Sequence, residues 1–228
     1  ILSRQGASVD AFRLAHDILA YNHKKGLAVY DKTAISKVQY KRNGITALTD
    51  NGHTISAKKI IYCNGFESTE IIRDKFVKLV STFAIVGEQS EDDLANLRDT
   101  LFWSTATPYI YMRTTDDNRL LIGGGDEDFK DTGKRDLLLS PKSMKLEKQI
   151  NKLLPDQQFT TDFVWAGTFG ETKDGLPYIG PHPDFPNSYF VLGFGGNGIT
   201  FSVIAMDMIA DMLKRKKHPL THYFRFRR

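Results

Sequence analysis

The sequence has little cysteine and no long hydrophobic run. Its single cysteine, Cys63, excludes an intramolecular disulfide and offers no spacing for a metal site. No stretch approaches the roughly 20 apolar residues of a membrane-spanning helix, and none has the pattern of a secretory leader. We therefore expect a cytoplasmic protein with no membrane-spanning segment and no bound metal.

The chain also lacks a strong overall charge. The formal net charge is +4 for 228 residues, of which 41% are hydrophobic, and this composition is typical of a globular protein with a sizeable core. A basic, aromatic tail at 214–228 leaves open an alternative function, a non-catalytic module that binds an acidic partner or nucleic acid. Charge runs of this size are more often solvated chain ends, so we expect no nucleic-acid partner. The basic residues of the tail are Lys214, Arg215, Lys216, Lys217, Arg225, Arg227 and Arg228.

The first 65 residues predict one helix followed by short strands. Asp10 can cap a helix with an apolar face, and Gly26 stands where a left-handed residue would end it. Asn43-Gly44 is typical of a tight hairpin turn, and Asp50-Asn51-Gly52 marks the next turn. The predicted strands are 27–30, 35–40, 45–49 and 59–63, the last of which breaks at Asn64-Gly65.

The middle of the chain predicts an antiparallel sheet. Runs at 83–86, 109–113 and 120–123 are rich in β-forming residues, and a turn at 116–118 can join the last two. A helix over 140–154 follows, for which Ser140 is the predicted cap and Pro141 the first helical residue.

A short strand at 189–194 leads into the glycine-rich turn 195–198 and then into a helix that reaches about Lys216. Apolar residues lie on nearly all sides of that helix, which predicts that most of it is buried. Free N–H groups and the positive end of the helix dipole at its start suit an electron-rich ligand edge.

Three motifs in this order carry a family resemblance: Trp165-Ala166-Gly167, the segment 174–180 and the segment 189–199. They resemble the W-x-G, D-G-x-P-x-x-G and G-F-x-G-x-G motifs of the D-amino-acid oxidase, glycine oxidase and sarcosine oxidase (DAO) family of FAD enzymes. Upstream, 6–14 and 61–65 fit the same template. The resemblance covers nearly the whole chain and is most specific from Trp165 onward.

The resemblance implies a mixed α/β fold with two domains. Residues 1–78 and 164–228 would form an incomplete Rossmann-like FAD-binding domain, and 79–163 an antiparallel-sheet substrate domain. The family's G-x-G-x-x-G segment would precede Ile1, so we expect the chain to be the C-terminal portion of a longer enzyme that holds FAD weakly or not at all on its own.

The resemblance also assigns cofactor-binding residues. The backbone of Ile35 would meet the adenine, and the Asn64-Gly65 turn would lie near the sugar and phosphates. The turn and helix start at 195–200 would meet the pyrimidine edge of the flavin, and a helix N-terminus stabilises the negative charge of a reduced flavin there. With no cysteine at the family's attachment point, we expect non-covalent FAD, and Cys63 is expected to be a small buried apolar residue. The residues implied at the flavin's pyrimidine edge are Gly195, Gly196, Asn197, Gly198, Ile199 and Thr200.

The substrate side departs from the family pattern. Phe169 stands where amino-acid oxidases have an arginine that clamps the substrate carboxylate. Tyr109, Tyr111 and Arg113 alternate along a strand and are predicted to share a face, and Arg113 could supply the missing clamp. We expect oxidation of a C–N bond in a small amine or amino-acid-like substrate. No catalytic residue is identified, and His182 is expected to be a solvated loop residue.

Overall fold

A computed structural model describes residues 6–88, 97–98, 100–106 and 108–228 of the chain. The helices are α1 Ala11–Lys24, α2 Ser68–Ile71, α3 Thr132–Leu137, α4 Leu139–Leu153, α5 Gly198–Leu213 and α6 Thr221–Phe224, with a 3-10 turn at Gly65–Glu67. The strands are β1 Ile35–Lys41, β2 Gly44–Thr49, β3 Thr54–Ala57, β4 Ile60–Tyr62, β5 Lys78–Glu88, β6 Phe102–Trp103, β7 Ile110–Thr114, β8 Arg119–Asp128, β9 Phe163–Glu171, β10 Tyr178–Gly180 and β11 Ser188–Leu192.

The chain divides into two compact units. The sheet unit consists of Ile1–Leu27 and Val80–Thr168, and the turn unit consists of Ala28–Leu79 and Phe169–Arg228. The division places α1 with the sheet unit, whereas the sequence prediction placed it with the C-terminal segment. The assignment of one unit to the cofactor and the other to the substrate stays a prediction.

The sheet unit is built on a sheet with strand order β6-β7-β8-β5-β9. β8 is antiparallel to both β5 and β7, which confirms the predicted antiparallel sheet. Asn118 adopts a left-handed φ of 59° in the turn between β7 and β8, as its side chain permits. One face of the sheet packs on α4 because apolar residues alternate along the strands and recur every four residues on the helix. Its buried core contains Phe83, Ile85, Leu120, Ile122, Leu146 and Ile150.

The predicted start of α4 is wrong. Asp131 caps α3 through a bond from the Lys134 amide, and the chain passes through Leu138 in helical geometry directly into α4. No cap is needed where one helix follows another, so Ser140 lies inside the first turn. Pro141 is still tolerated there because the first N–H groups of a helix have no intrahelical partner.

The glycines at 123–125 allow close packing within β8. A Cβ on Gly123 would lie 2.2 Å from Cζ of Tyr111, and one on Gly124 would lie 2.5 Å from the carbonyl oxygen of Tyr109. Gly124 and Gly125 also have left-handed φ values of 141° and 67°. Gly123 and Gly124 therefore admit the neighbouring strand and its tyrosine ring.

The turn unit contains two small sheets, one with the order β1-β2-β3 and one with the order β10-β11-β4. β1 and β2 form the predicted hairpin, although its two turn residues are Arg42 and Asn43, because Lys41 pairs with Gly44. In the second sheet β11 runs parallel to β4 and antiparallel to β10. The carboxyl ends of β4 and β11 therefore lie at the same edge.

Two expectations about exposed segments are wrong. Residues 27–30 form no strand, and Leu27, Val29 and Tyr30 are exposed. A run with high β-propensity needs a pairing partner, and none of the described strands pairs with it. Cys63 is likewise exposed rather than buried.

Only one side of α5 is buried, contrary to the prediction. Ala205, Met208 and Ile209 are buried, whereas Val203 and Met206 are 54% and 64% exposed. Within the turn unit, α5 contacts the sheet through β10 and β11, and it also packs against Phe224 of α6. Among the helices that the structure describes, none combines the length and the apolar character that crossing a bilayer requires.

The C-terminal tail is packed rather than free. Phe224 and Phe226 are buried in the core clusters of the turn unit. Arg227 lies 3.6 Å from a carboxylate oxygen of Asp184, and Arg228 binds the carboxylate of Asp174. These aromatic and charged residues therefore form part of the fold of this unit.

Candidate functional site

The glycine-rich turn before α5 has the geometry of a ligand-binding loop. Gly193 and Gly195 take left-handed φ values of 76° and 54°, which turn the chain sharply at the end of β11. A Cβ on Gly195 or Gly196 would meet no atom within 4 Å, so the backbone here borders open space. Asn197 makes no side-chain capping bond, which leaves the first N–H groups of α5 available to a ligand.

A second turn follows β4. Gly65 has a left-handed φ of 59°, and a Cβ there would meet nothing within 4 Å. Oδ1 of Asn64 is buried and has no hydrogen-bond partner among the described residues. An orphaned buried acceptor is costly, and a ligand hydroxyl such as that of a ribose would satisfy it.

The two turns lie at one edge of a sheet because β4 and β11 are parallel neighbours, in which Phe190 pairs with Tyr62. Ligands in open α/β sheets bind outside the carboxyl ends of the strands, which is where both turns stand. Ile35, the third predicted cofactor contact, begins β1 in the other sheet of this unit. No described contact joins Ile35 to either turn.

The turn before α5 rests on the segment that contains the D-G-x-P motif. The Gly195 amide donates to the carbonyl of Gly170 at 3.1 Å, and a Cβ on Gly193 would lie 2.8 Å from Cγ2 of Thr172. Tyr178 lies on the same side of Gly193. The position of the glycine turn therefore depends on the conformation of residues 170–178.

Arg228 in turn holds that segment, an interaction that no local sequence pattern indicates. Its Nε and Nη2 donate to the two carboxylate oxygens of Asp174 at 2.6 and 2.8 Å, and Nη1 donates to the carbonyl of Pro177. The guanidinium also lies over the ring of Tyr178 at 3.9 Å. This pairing holds the pKa of Asp174 well below its ordinary range. The partners are 54 residues apart, too far for a local pattern to reveal.

The structure brings together two of the four predicted substrate residues. The rings of Tyr109 and Tyr111 are 6.3 Å apart, and burial raises the pKa of Tyr111. Arg113 donates to the neighbouring carbonyl of Thr114 and makes no described contact with either tyrosine. Phe169 is half-buried in β9 and belongs to the turn unit. A substrate role for these residues stays a prediction.

Two charged residues of the sheet unit were not foreseen. The hydroxyl of Tyr109 donates to Oδ2 of Asp126 at 2.8 Å, while Oδ1 of Asp126 is buried without a described partner. Lys142 is buried, and its ammonium binds the carbonyl of Gly125 and Oε1 of Glu127. Asp126 directly follows Gly124 and Gly125, which have left-handed φ values, and the carbonyl of Gly125 accepts the bond from Lys142.

His182 is buried, not solvated as expected, because it packs against the rings of Phe185, Phe190 and Phe226. Burial lowers its pKa. Its Nδ1 accepts the Asp184 amide at 3.2 Å, and Arg227 pairs with the Asp184 carboxylate. These contacts describe a core histidine with internal partners.

Known proteins resemble the chain over most of its length. Over 196 residues it is 27% identical to the glycine oxidase of Geobacillus kaustophilus, a match that covers 84% of this chain and 50% of that enzyme. Over 221 residues it is 26% identical to the gamma-glutamylputrescine oxidoreductase of Escherichia coli, which covers 94% of this chain and 50% of the relative. The chain thus spans about half the length of the curated relatives it matches.

Solved structures show the same fold. The crystal structure of Geobacillus kaustophilus glycine oxidase superposes with a TM-score of 0.77 at 23% identity, covering 97% of this chain and 59% of that one. A fructosyl peptide oxidase from Aspergillus nidulans gives a TM-score of 0.78 at 12% identity, covering 95% and 57%. The DAO family, described as FAD dependent oxidoreductase, matches residues 1–212. The chain therefore belongs to the DAO family of FAD-dependent oxidoreductases.

Proposed function

We propose that this protein is an FAD-dependent oxidoreductase that oxidises a C–N bond of an amine or amino-acid-like substrate. One observation carries the proposal: two open glycine turns, after β4 and after β11, stand at the same carboxyl edge of the sheet in the turn unit. The family to which the chain belongs, and relatives whose names describe oxidation of glycine and gamma-glutamylputrescine, support it.

The described residues fit FAD at both turns. The uncapped start of α5 offers N–H groups and a positive dipole end to the flavin's electron-rich edge, through Gly195, Gly196, Asn197, Gly198, Ile199 and Thr200. Oδ1 of Asn64 offers an acceptor to a sugar hydroxyl, and Gly65 admits close approach. We propose non-covalent binding, to which Ile35 contributes a backbone contact with the adenine.

When bound, FAD would supply the acceptor for one hydride, which carries two electrons, from the carbon next to nitrogen. The substrate loses that hydride and one N–H proton to become an imine, and water hydrolyses the imine to a carbonyl compound and an amine. Oxygen or another electron carrier must then reoxidise the cofactor. In this reaction the start of α5 stabilises the negative charge that the reduced ring gains, which favours hydride transfer.

The substrate should be larger than a plain small amino acid. A charge-assisted hydrogen bond contributes roughly 1.5–3 kcal/mol, so the absence of an arginine at Phe169 lowers the affinity for glycine and D-alanine. The phenyl ring offers apolar area instead. We propose that a secondary amine or a bulkier amino compound packs on Phe169, and that its carboxylate, where present, is bound by another arginine, for which Arg113 was the candidate from the sequence. Tyr109 and Tyr111 remain proposed substrate residues of the sheet unit.

Anaerobic reduction of the flavin in the full-length protein tests this proposal. We expect N-benzylglycine to reduce the flavin faster than glycine or D-alanine, and Phe169→Arg to narrow or reverse that order. Phe163→Arg, a change at an exposed phenylalanine of the same strand, is the matched control and should leave the order unchanged. Fastest reduction by glycine in the unmutated protein would overturn the role of Phe169.

A further inference from the structure

The sheet unit contains a cavity of about 730 Å³, a volume within the range of small-molecule sites. It is lined on one side by acidic residues at the end of β8 and on the other by basic residues that follow them in the chain. Leu137 and Leu138 add apolar wall. The charged lining residues are Asp126, Glu127, Asp128, Lys130, Lys134 and Arg135.

Glu127, Lys134 and Arg135 are each paired with another residue of the same unit. Glu127 binds the ammonium of buried Lys142 at 2.7 Å. Lys134 lies 3.2 Å from the carboxylate of Asp131 on its own helix. The nearly buried ammonium of Lys142 compensates much of the charge of Glu127, whereas the pair of Lys134 and Asp131 is exposed to water and compensates little.

Asp126 is different because one of its oxygens has no partner. Tyr109 donates to Oδ2 and fixes the orientation of the carboxylate. Oδ1 is buried and unpartnered among the described residues. A buried carboxylate oxygen without a donor costs free energy, and a ligand ammonium in the cavity would supply that donor.

Arg135 is held in place for an anion. Its Nε donates to Oδ1 of Asp136 at 2.8 Å, and its Nη1 donates to Oγ1 of Thr168 at 3.1 Å. The side chain is 18% exposed, which limits its freedom and its screening by water. Asp136 is 53% exposed, so it neutralises the guanidinium only weakly. No bond from Nη2 to another described residue is present, so its N–H groups can bind a carboxylate.

The bond from Arg135 to Thr168 joins α3 to β9. Thr168 immediately precedes Phe169 in β9, so Arg135 brings a guanidinium from α3 to the strand that has phenylalanine instead of arginine. Arg113, the candidate from the sequence, binds a neighbouring backbone carbonyl and is not among the residues that line the cavity. Among the described arginines, Arg135 is the one that lines this cavity.

We propose that this cavity binds a compound with an ammonium group and a carboxylate joined by an apolar chain, with the ammonium at Asp126 and the carboxylate at Arg135. The proposal rests on the proposed function and narrows its substrate class to elongated zwitterions. The volume of the cavity exceeds what glycine needs, and its leucine wall suits the connecting carbon chain.

Calorimetric titration of the full-length protein tests the proposal without any turnover. The probes are 6-aminohexanoate, hexylamine and hexanoate, which share one carbon chain and differ in their charged ends. We expect 6-aminohexanoate to bind at least ten-fold more tightly than either of the other two. Equal binding of the three probes, or no binding of 6-aminohexanoate, would overturn the proposal.

Variants separate the two ends of the ligand. Arg135→Gln should weaken 6-aminohexanoate ten-fold or more and leave hexylamine unchanged. Asp126→Asn should weaken both amines and leave hexanoate unchanged. Lys152→Gln, which removes an exposed charge from the last turn of α4, is the control and should change nothing. Arg135→Lys keeps the charge without the planar fork, so it should bind with intermediate affinity even if the glutamine variant folds poorly.

The test also distinguishes this proposal from the proposed function. A protein that retains no flavin but binds 6-aminohexanoate through Asp126 and Arg135 refutes the oxidoreductase and supports the cavity. A yellow protein that amines reduce, but whose probe affinities are the same in Arg135→Gln and Lys152→Gln, supports the oxidoreductase and refutes the cavity.

Discussion

Two substitutions in the turn before α5 should separate binding of the cofactor from stability of the fold. Gly196→Val places a side chain where the ideal Cβ meets no atom within 4 Å, and Gly196 does not have the left-handed φ of its neighbour Gly195. The substitution needs no strained backbone, so we expect the free energy of unfolding of the flavin-free protein to change by no more than about 0.5 kcal/mol. The same branched side chain fills the space that the flavin edge would occupy.

Gly193→Ala is the matched comparison on the same turn. An alanine there would keep a φ of 76° and bring its Cβ within 2.8 Å of Thr172 Cγ2 and 3.3 Å of Val77 Cγ1. The left-handed conformation costs about 1–2 kcal/mol for a residue with a Cβ, and the crowding adds to it. We therefore expect a loss of about 2 kcal/mol of stability, with weaker flavin binding as a secondary result.

The assay pairs denaturant unfolding of the flavin-free full-length protein with titration of the same sample by FAD. The reasoning predicts wild-type stability and at least ten-fold weaker FAD binding for Gly196→Val, and reduced stability for Gly193→Ala. If Gly196→Val binds FAD as tightly as the unmutated protein, the turn does not face the cofactor. If it unfolds as easily as Gly193→Ala, the space beside Gly196 is not open.

Three further predictions concern stability. Burial lowers the pKa of His182, so the stability that the neutral ring contributes is complete above about pH 6.5 and is lost as the pH falls below it; urea midpoints between pH 7.5 and 5 should decline less steeply in His182→Asn. Arg228→Gln should lower the free energy of unfolding by about 1 kcal/mol at pH 7, a value discounted for the exposure of Asp174. The pKa of Asp174 is depressed in the folded protein, so the difference in free energy of unfolding between the unmutated protein and Arg228→Gln should shrink as the pH falls below about 4. Denaturant unfolding of both proteins at decreasing pH checks this. Gly123→Val should cost about 2 kcal/mol in denaturant unfolding because its side chain would overlap the ring of Tyr111, and an unchanged midpoint would show that the ring can move aside.

Local patterns predicted most of the elements. Asp10 caps α1 through a bond from the Arg13 amide, and Gly26 follows the helix with a φ of 97°, as expected from residues whose preferences act within one turn. The antiparallel strands were predicted correctly because the alternation of apolar and polar residues and the turn residues between the strands both indicate a sheet. The strand at 27–30 failed because β-propensity specifies a strand only when a partner is present.

The site was predictable only in part, for a related reason. The turns at Asn64 and Gly195 were predicted because the residues of each motif are neighbours in the sequence. The contacts of Arg228 with Asp174 and of Arg135 with Thr168 join residues 54 and 33 positions apart, and only the folded chain brings them together. The burial of His182 likewise depends on aromatic residues that come from separate elements.

The central claim, oxidation of a C–N bond by bound FAD, is tested most directly with an isosteric pair of compounds under anaerobic conditions. N-benzylglycine and benzyloxyacetate differ only in NH against O at the reacting position. We expect the full-length protein to be purified with flavin, N-benzylglycine to abolish the visible absorbance of the oxidised flavin, and a carbonyl product to appear in an amount equal to the flavin reduced. Benzyloxyacetate should leave the spectrum unchanged. A protein without flavin, or one reduced equally by both compounds, would contradict the account.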